Sequence, residues 1–144
     1  MNNYEPEQFG LIDIENALFT RIATAVRQVF SSAYVSGEYV AQPPKLPAVY
    51  IVEQDNSVYL PGRDSGDIEN YANVTYQVDV FSNRTDGKKT ECKSIMAIID
   101  TEFSKLGFTR TFMNPVQNMK DPRIFRMTGL YRAVVSRDHY VFRR

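Results

Sequence analysis

The sequence predicts an α+β fold, with two amphipathic helices packed on one face of a mainly antiparallel sheet, in the order α-β-β-β-α-β-β. Three observations carry that expectation. In Tyr71–Ser82, Ala72, Val74, Tyr76, Val78 and Val80 alternate with Asn73, Thr75, Gln77 and Asp79, the period of two of a half-buried strand. Residues 124–137 alternate in the same way over a similar length. Two other stretches, 13–31 and 88–106, instead space their apolar residues three and four apart, as helices do. Helices that segregate to one face of an antiparallel sheet make a two-layer α+β domain.

Taken in order, residues 1–11 read as a loose lead-in. Asp13 is placed to cap a helix running to about Ser31, whose stripe is Ile14, Leu18, Ile22, Ala25, Val26 and Val29. Val35–Gln42 reads as a first, edge-type strand, and Pro43, Pro44 and Pro47 then force extended backbone. Ala48–Glu53 is the second strand. Residues 55–70 hold Asn56, Pro61-Gly62, Asp64 and Ser65-Gly66-Asp67, all turn formers, and predict a long projecting loop or hairpin. After the strand at 71–82, Ile95, Ile99, Phe103 and Leu106 mark the second helix, with Gly107 ready to cap its end. Phe108–Met113 is a fourth strand. In the fifth, Phe125, Met127, Gly129, Tyr131, Ala133 and Val135 face the core, and mid-strand Gly129 signals a bulge or a close neighbour. Residues 138–144 are read as an extension of this strand or a mobile tail.

A length of 144 residues fits a single domain over the whole chain, and 43% hydrophobic residues suffice for its core. The lone cysteine, Cys92, excludes an internal disulfide and fits a reducing compartment. Neither a secretory signal nor a membrane-spanning run is expected. Net charge is zero but uneven: residues 105–144 hold 9 Lys/Arg against 2 Asp/Glu, and residues 1–104 hold 8 against 15. Such a split fits an acidic front that attracts the basic back of a neighbouring copy, a polyanion partner, or simply solvated arginines on the C-terminal strands.

No residue pattern points to catalysis, to a metal or to a cofactor. His139 is the one histidine and stands far from Cys92 in sequence. P-loop, dinucleotide and Gly-x-Ser-x-Gly motifs are absent from the sequence. Asp79 with Glu91 and Lys93 resembles the carboxylates and lysine of metal-dependent nucleases. Glu91, though, falls at a helix start, where the helix dipole gives it a simpler role.

Several phrases resemble the tail terminator, or tail completion, proteins of long-tailed bacteriophages. They are Leu46-Pro47-Ala48-Val49-Tyr50-Ile51, Tyr76-Gln77-Val78-Asp79-Val80-Phe81, Lys105-Leu106-Gly107-Phe108, and the run from Phe125 to Val135. The resemblance spans most of the chain from about Ile12 and rests on strand and helix patterns rather than reactive residues. It implies a non-enzymatic virion subunit that forms a ring, typically of six. The ring caps the tail tube, joins it to the head-side connector and lets DNA through. Its partners would be other copies, the tube protein and the connector, with loose contact to passing DNA and none to membranes. Its places would be the host cytoplasm during assembly and the virion neck afterwards. A head completion protein of the same neck, or a soluble interaction module with weak nucleic-acid affinity, is the alternative.

From this sequence alone, Tyr59, Leu60 and Arg63 are expected to form a partner-docking loop. Arg126, Arg132, Gln77 and Asp79, on the polar face of the sheet, are the lumen-facing candidates.

Overall fold

The computed structural model describes residues 11–59, 71–117 and 121–142. Its elements are α1 (Glu15–Val29), β1 (Tyr34–Ser36), β2 (Ala48–Val58), β3 (Tyr71–Ser82), α2 (Lys88–Lys105), β4 (Thr109–Pro115) and β5 (Phe125–Ser136). The five strands form one sheet in the order β1-β2-β3-β5-β4. The expected α+β order is present, but the sheet is mixed: β1 runs parallel to β2, and the other pairs are antiparallel. A parallel neighbour needs a crossover connection, and residues 37–47 supply it between Ser36 and Ala48.

The helices end where local chemistry ends them. Asp13, the expected cap, sits one position before the observed one: the cap residue is Ile14, and Asp13 Oδ1 accepts the Glu15 amide at 3.0 Å. Gly107, at φ +92°, closes α2. Its amide bonds Ser104 O at 3.0 Å, and the Phe108 amide bonds Phe103 O at 3.0 Å, which is the Schellman pairing of a left-handed glycine. On α1, Leu18, Ile22, Ala23 and Val26 are buried, whereas Val29 is 67% exposed. Val29 shares the angular face of Leu18 and Ile22, so the helix runs a turn beyond its cover.

Both helices lie on one face. Their buried residues join Val49, Ile51, Val74, Tyr76, Val78, Val80, Met127, Tyr131, Ala133 and Val135 in the main core. Phe103 stacks on Tyr131 with ring centroids 4.1 Å apart, and Phe108 meets Phe103 edge-on at 5.1 Å. Gly129 has the close neighbour its position predicts. A Cβ there would lie 3.0 Å from Met113 Cε and 3.2 Å from Tyr131 Cε2, and a bulge lies nearby in β4, between Arg110 and Phe112, opposite Tyr131 and Leu130.

Three boundaries differ from the sequence reading. Asp55–Val58 belong to β2 rather than to a loop, because a bulge between Glu53 and Asp55 resets the register and pairing with β3 continues to Val58↔Ala72. The first strand shrinks to Tyr34–Ser36, since Gly37 onward leaves the sheet to cross its second face. Residues 137–142 are not a free tail. They turn back at His139 (φ 67°), and Val141 bridges Val135 while the Phe142 amide bonds Val134 O at 2.7 Å.

Candidate interaction face

The face of the sheet away from the helices holds the polar residues of β3 and β5, and at one end it is closed. Ala48, Tyr50 and Phe81 are buried there, under Tyr34, Val40 and Leu46. Tyr50 donates its hydroxyl to Val40 O at 2.7 Å, and the Tyr39 and Phe81 rings lie 5.7 and 5.4 Å from its own. Burial, with Tyr34, Tyr39 and Asp79 nearby, pushes the Tyr50 hydroxyl up to about 12.

Beside this cluster lies a polar network. Pairing puts Tyr50, Asp79 and Thr128 in one row and Phe81 with Arg126 in the next. Asp79 is only 4% exposed. Its Oδ1 accepts from Thr128 Oγ1 at 2.6 Å and from Arg126 Nε at 3.0 Å, and its Oδ2 accepts from Gln77 Nε2 at 2.9 Å. Arg126 lies over the Phe81 ring, 5.5 Å from its centroid. A buried carboxylate persists only when donors replace its lost water, and here three side chains do so.

The four lumen candidates therefore divide. Asp79 does not line an open wall, because Arg126, Thr128 and Gln77 occupy and cover its carboxylate. Gln77 and Arg126 are half-buried and turned to Asp79. Arg132 alone is exposed, with Asn73 Oδ1 at 3.3 Å. The docking candidates divide as well. Tyr59 is the last rung of the β2–β3 ladder: its amide bonds Tyr71 O at 2.9 Å, and its ring meets Tyr71 edge-on at 6.3 Å. Leu60 and Arg63 lie outside the described residues.

Two features of the sequence take a definite place in three dimensions. Asp79 and Glu91 do not converge as a nuclease pair would. Asp79 faces away from α2, while Glu91 Oε1 accepts the Ser82 hydroxyl at 2.7 Å. Among the described residues no group of three or more His, Cys, Asp or Glu is arranged to hold a metal ion. Part of the charge split along the sequence is met within one chain. Arg126 pairs with Asp79 and Arg110 with Asp100, each at about 3 Å, and Lys105 pairs with Glu102 at 3.4 Å. Antiparallel β5 lies directly beside β3, so an arginine late in the sequence meets an acid from its middle.

Three exposed aromatic side chains lie along one edge. Every residue of β4 is exposed except half-buried Met113. Phe112 is 38% exposed opposite Leu130, and Tyr140 and Phe142 are 75% and 58% exposed on the returning turn beside Ser136 and Val134. Sequence periodicity missed this grouping, because only the hydrogen bonds of residues 136–142 bring the C-terminal aromatics to the β5 edge. Compared with known proteins, the chain matches no family model and no curated sequence.

Proposed function

We propose that the chain is a non-enzymatic assembly subunit of a phage tail terminator ring, one that caps the tail tube and meets the head-side connector. The observation that carries the reading is the open β4 edge with Phe112, Tyr140 and Phe142 along it. An exposed edge strand flanked by aromatics is a surface that pairs with another chain unless something covers it. Repeated head-to-tail around an axis, such a contact closes into a ring. The element order and the two-layer architecture also agree with the small α/β subunit that the resemblance implies. Exposed Arg132 would face the lumen, and Arg126 would hold the wall in shape through Asp79.

Solution mass by light scattering tests this, for the chain alone and after mixing with purified tail tubes. Six copies of a 16.6 kDa chain give about 100 kDa. That species, alone or recovered on the tubes, is the expected result. A monomer at all concentrations that also fails to bind tubes overturns the proposal.

A further inference from the structure

At the opposite edge of the core from β4, one carboxyl group stands where the fold gives it little reason to stay charged. Glu53 is the last residue of β2 before the bulge, half-buried against β3. Its Oε1 accepts from the Tyr76 hydroxyl at 3.2 Å and lies 3.5 Å from Asn56 Nδ2. The same Asn56 amide nitrogen donates to Ile12 O at 2.7 Å, which ties the backbone just before α1 to the base of the β2–β3 hairpin. Asn56 Oδ1 is buried and has no donor. An orphaned buried acceptor costs about 1–3 kcal/mol. Ionised Glu53 can only accept hydrogen bonds and cannot serve that oxygen, whereas protonated Glu53, already 3.5 Å from the other end of the same amide, carries an O–H donor.

We propose that Glu53 is a proton-operated latch: taking up a proton lets it bond the Asn56 side chain from both ends and stiffens the pairing of β2 with β3 out to Tyr59. The groups that face it agree. β3 supplies the Tyr76 hydroxyl, β2 supplies Asn56, and the start of α1 supplies two acids, Asp13 and Glu15. Burial acts first to raise the Glu53 carboxyl above the usual glutamate range, and Glu15 and Asp13 add to it; the hydrogen bonds from Tyr76 and Asn56 pull the other way without cancelling the rise. The sign follows from the raised value. Proton uptake stabilises the folded chain, fully so below the ordinary glutamate value of 4.5, and that gain fades as pH rises through the folded value. Above the folded value the latch is open; below it the latch closes. The latch is a property of the single subunit and stands apart from ring assembly.

The test uses the full-length chain. The side-chain carboxyl of Glu53 is titrated by carbon-detected NMR, and hydrogen exchange of the Tyr59 amide, which bonds Tyr71 O at the far end of the hairpin, is followed from pH 7 to pH 5 after correction for intrinsic rates. A Glu53 midpoint above 4.5 is expected, with a several-fold rise in Tyr59 protection toward pH 5; each unit of midpoint shift corresponds to tenfold in the linked equilibrium. Glu53→Gln keeps an N–H donor at all pH values, so its Tyr59 protection should already be high at pH 7 and change little. A Glu53 midpoint at or below 4.5, or the same pH profile at Tyr59 in both proteins, overturns the latch.

Discussion

The two faces of the sheet are buried by different physics, although the same strands supply both. On the helix side, β3 gives Ala72, Val74, Tyr76, Val78 and Val80 to a continuous apolar cluster, and the aromatic rings of Phe103, Phe108 and Tyr131 fill it. On the other side the same strand gives Asp79 and Phe81, and both are buried as well. Apolar area removed from water holds the first face together. The second needs a crossing segment over Tyr50 and Phe81, and a closed set of donors around one carboxylate. The difference separates tolerance from fragility. An apolar core accepts similar shapes with little loss, while a buried charge fails when one partner is removed.

The largest effect is expected on the helix side. Phe103 is fully buried, touching Tyr76, Phe108 and Tyr131. Phe103→Ala should cost about 3–5 kcal/mol, because it removes transfer energy and leaves a cavity that the stacked rings cannot fill. Urea unfolding measures it. A loss below about 1 kcal/mol would mean that the rings repack and that the stack does not support the core.

The second prediction probes the polar face. Arg126→Ala strands Asp79 without its cation while Thr128 and Gln77 remain. Loss of one partner of a buried pair costs about 3–5 kcal/mol; Arg126 keeps a 24% exposed side chain, so about 2–3 kcal/mol is the better expectation. Asp79→Ala combined with Arg126→Ala should cost less than the sum of the two single changes. Additive losses would show that each residue acts through its own packing, and the two faces would then be alike after all.

The same contrast explains what was legible in the sequence. Helices, the order of elements along the chain and the core side of β3 and β5 follow from periodicity, since Val74, Tyr76, Val78 and Val80 can face only one way in register. Periodicity reports which side a residue takes, not what covers that side. Asp79 therefore looked exposed, and its burial depends on Arg126, 47 residues away. A stretch of turn formers hid the strand at Asp55–Val58, because the bulge at Gln54 shifts the pairing without leaving a mark in composition. Likewise the C-terminal residues carry no strand-length pattern, since one bridge at Val141, three backbone bonds and the packing of Val141 hold them.

The smallest effect on stability is expected at Arg132, which shares a face of β5 with Arg126 and differs from it only in surroundings. Arg126 lies on Phe81 and closes on a buried acid; Arg132 is exposed and reaches only Asn73 Oδ1, at 3.3 Å. An exposed, singly bonded cation contributes little, so Arg132→Glu should shift unfolding by less than about 0.5 kcal/mol. Its consequence belongs to assembly. If Arg132 lines a ring, reversing its charge places one acid per copy around the opening, where the acids repel one another and the phosphates of passing DNA. Ring mass by light scattering at low and high salt, beside phage titre from the mutant, separates the two levels: a normally stable subunit with weakened rings or reduced titre is expected. A mutant that folds, assembles and supports infection as the wild type does would remove Arg132 from the lumen, and with Asp79 already buried the polar face would then serve only to shape the subunit.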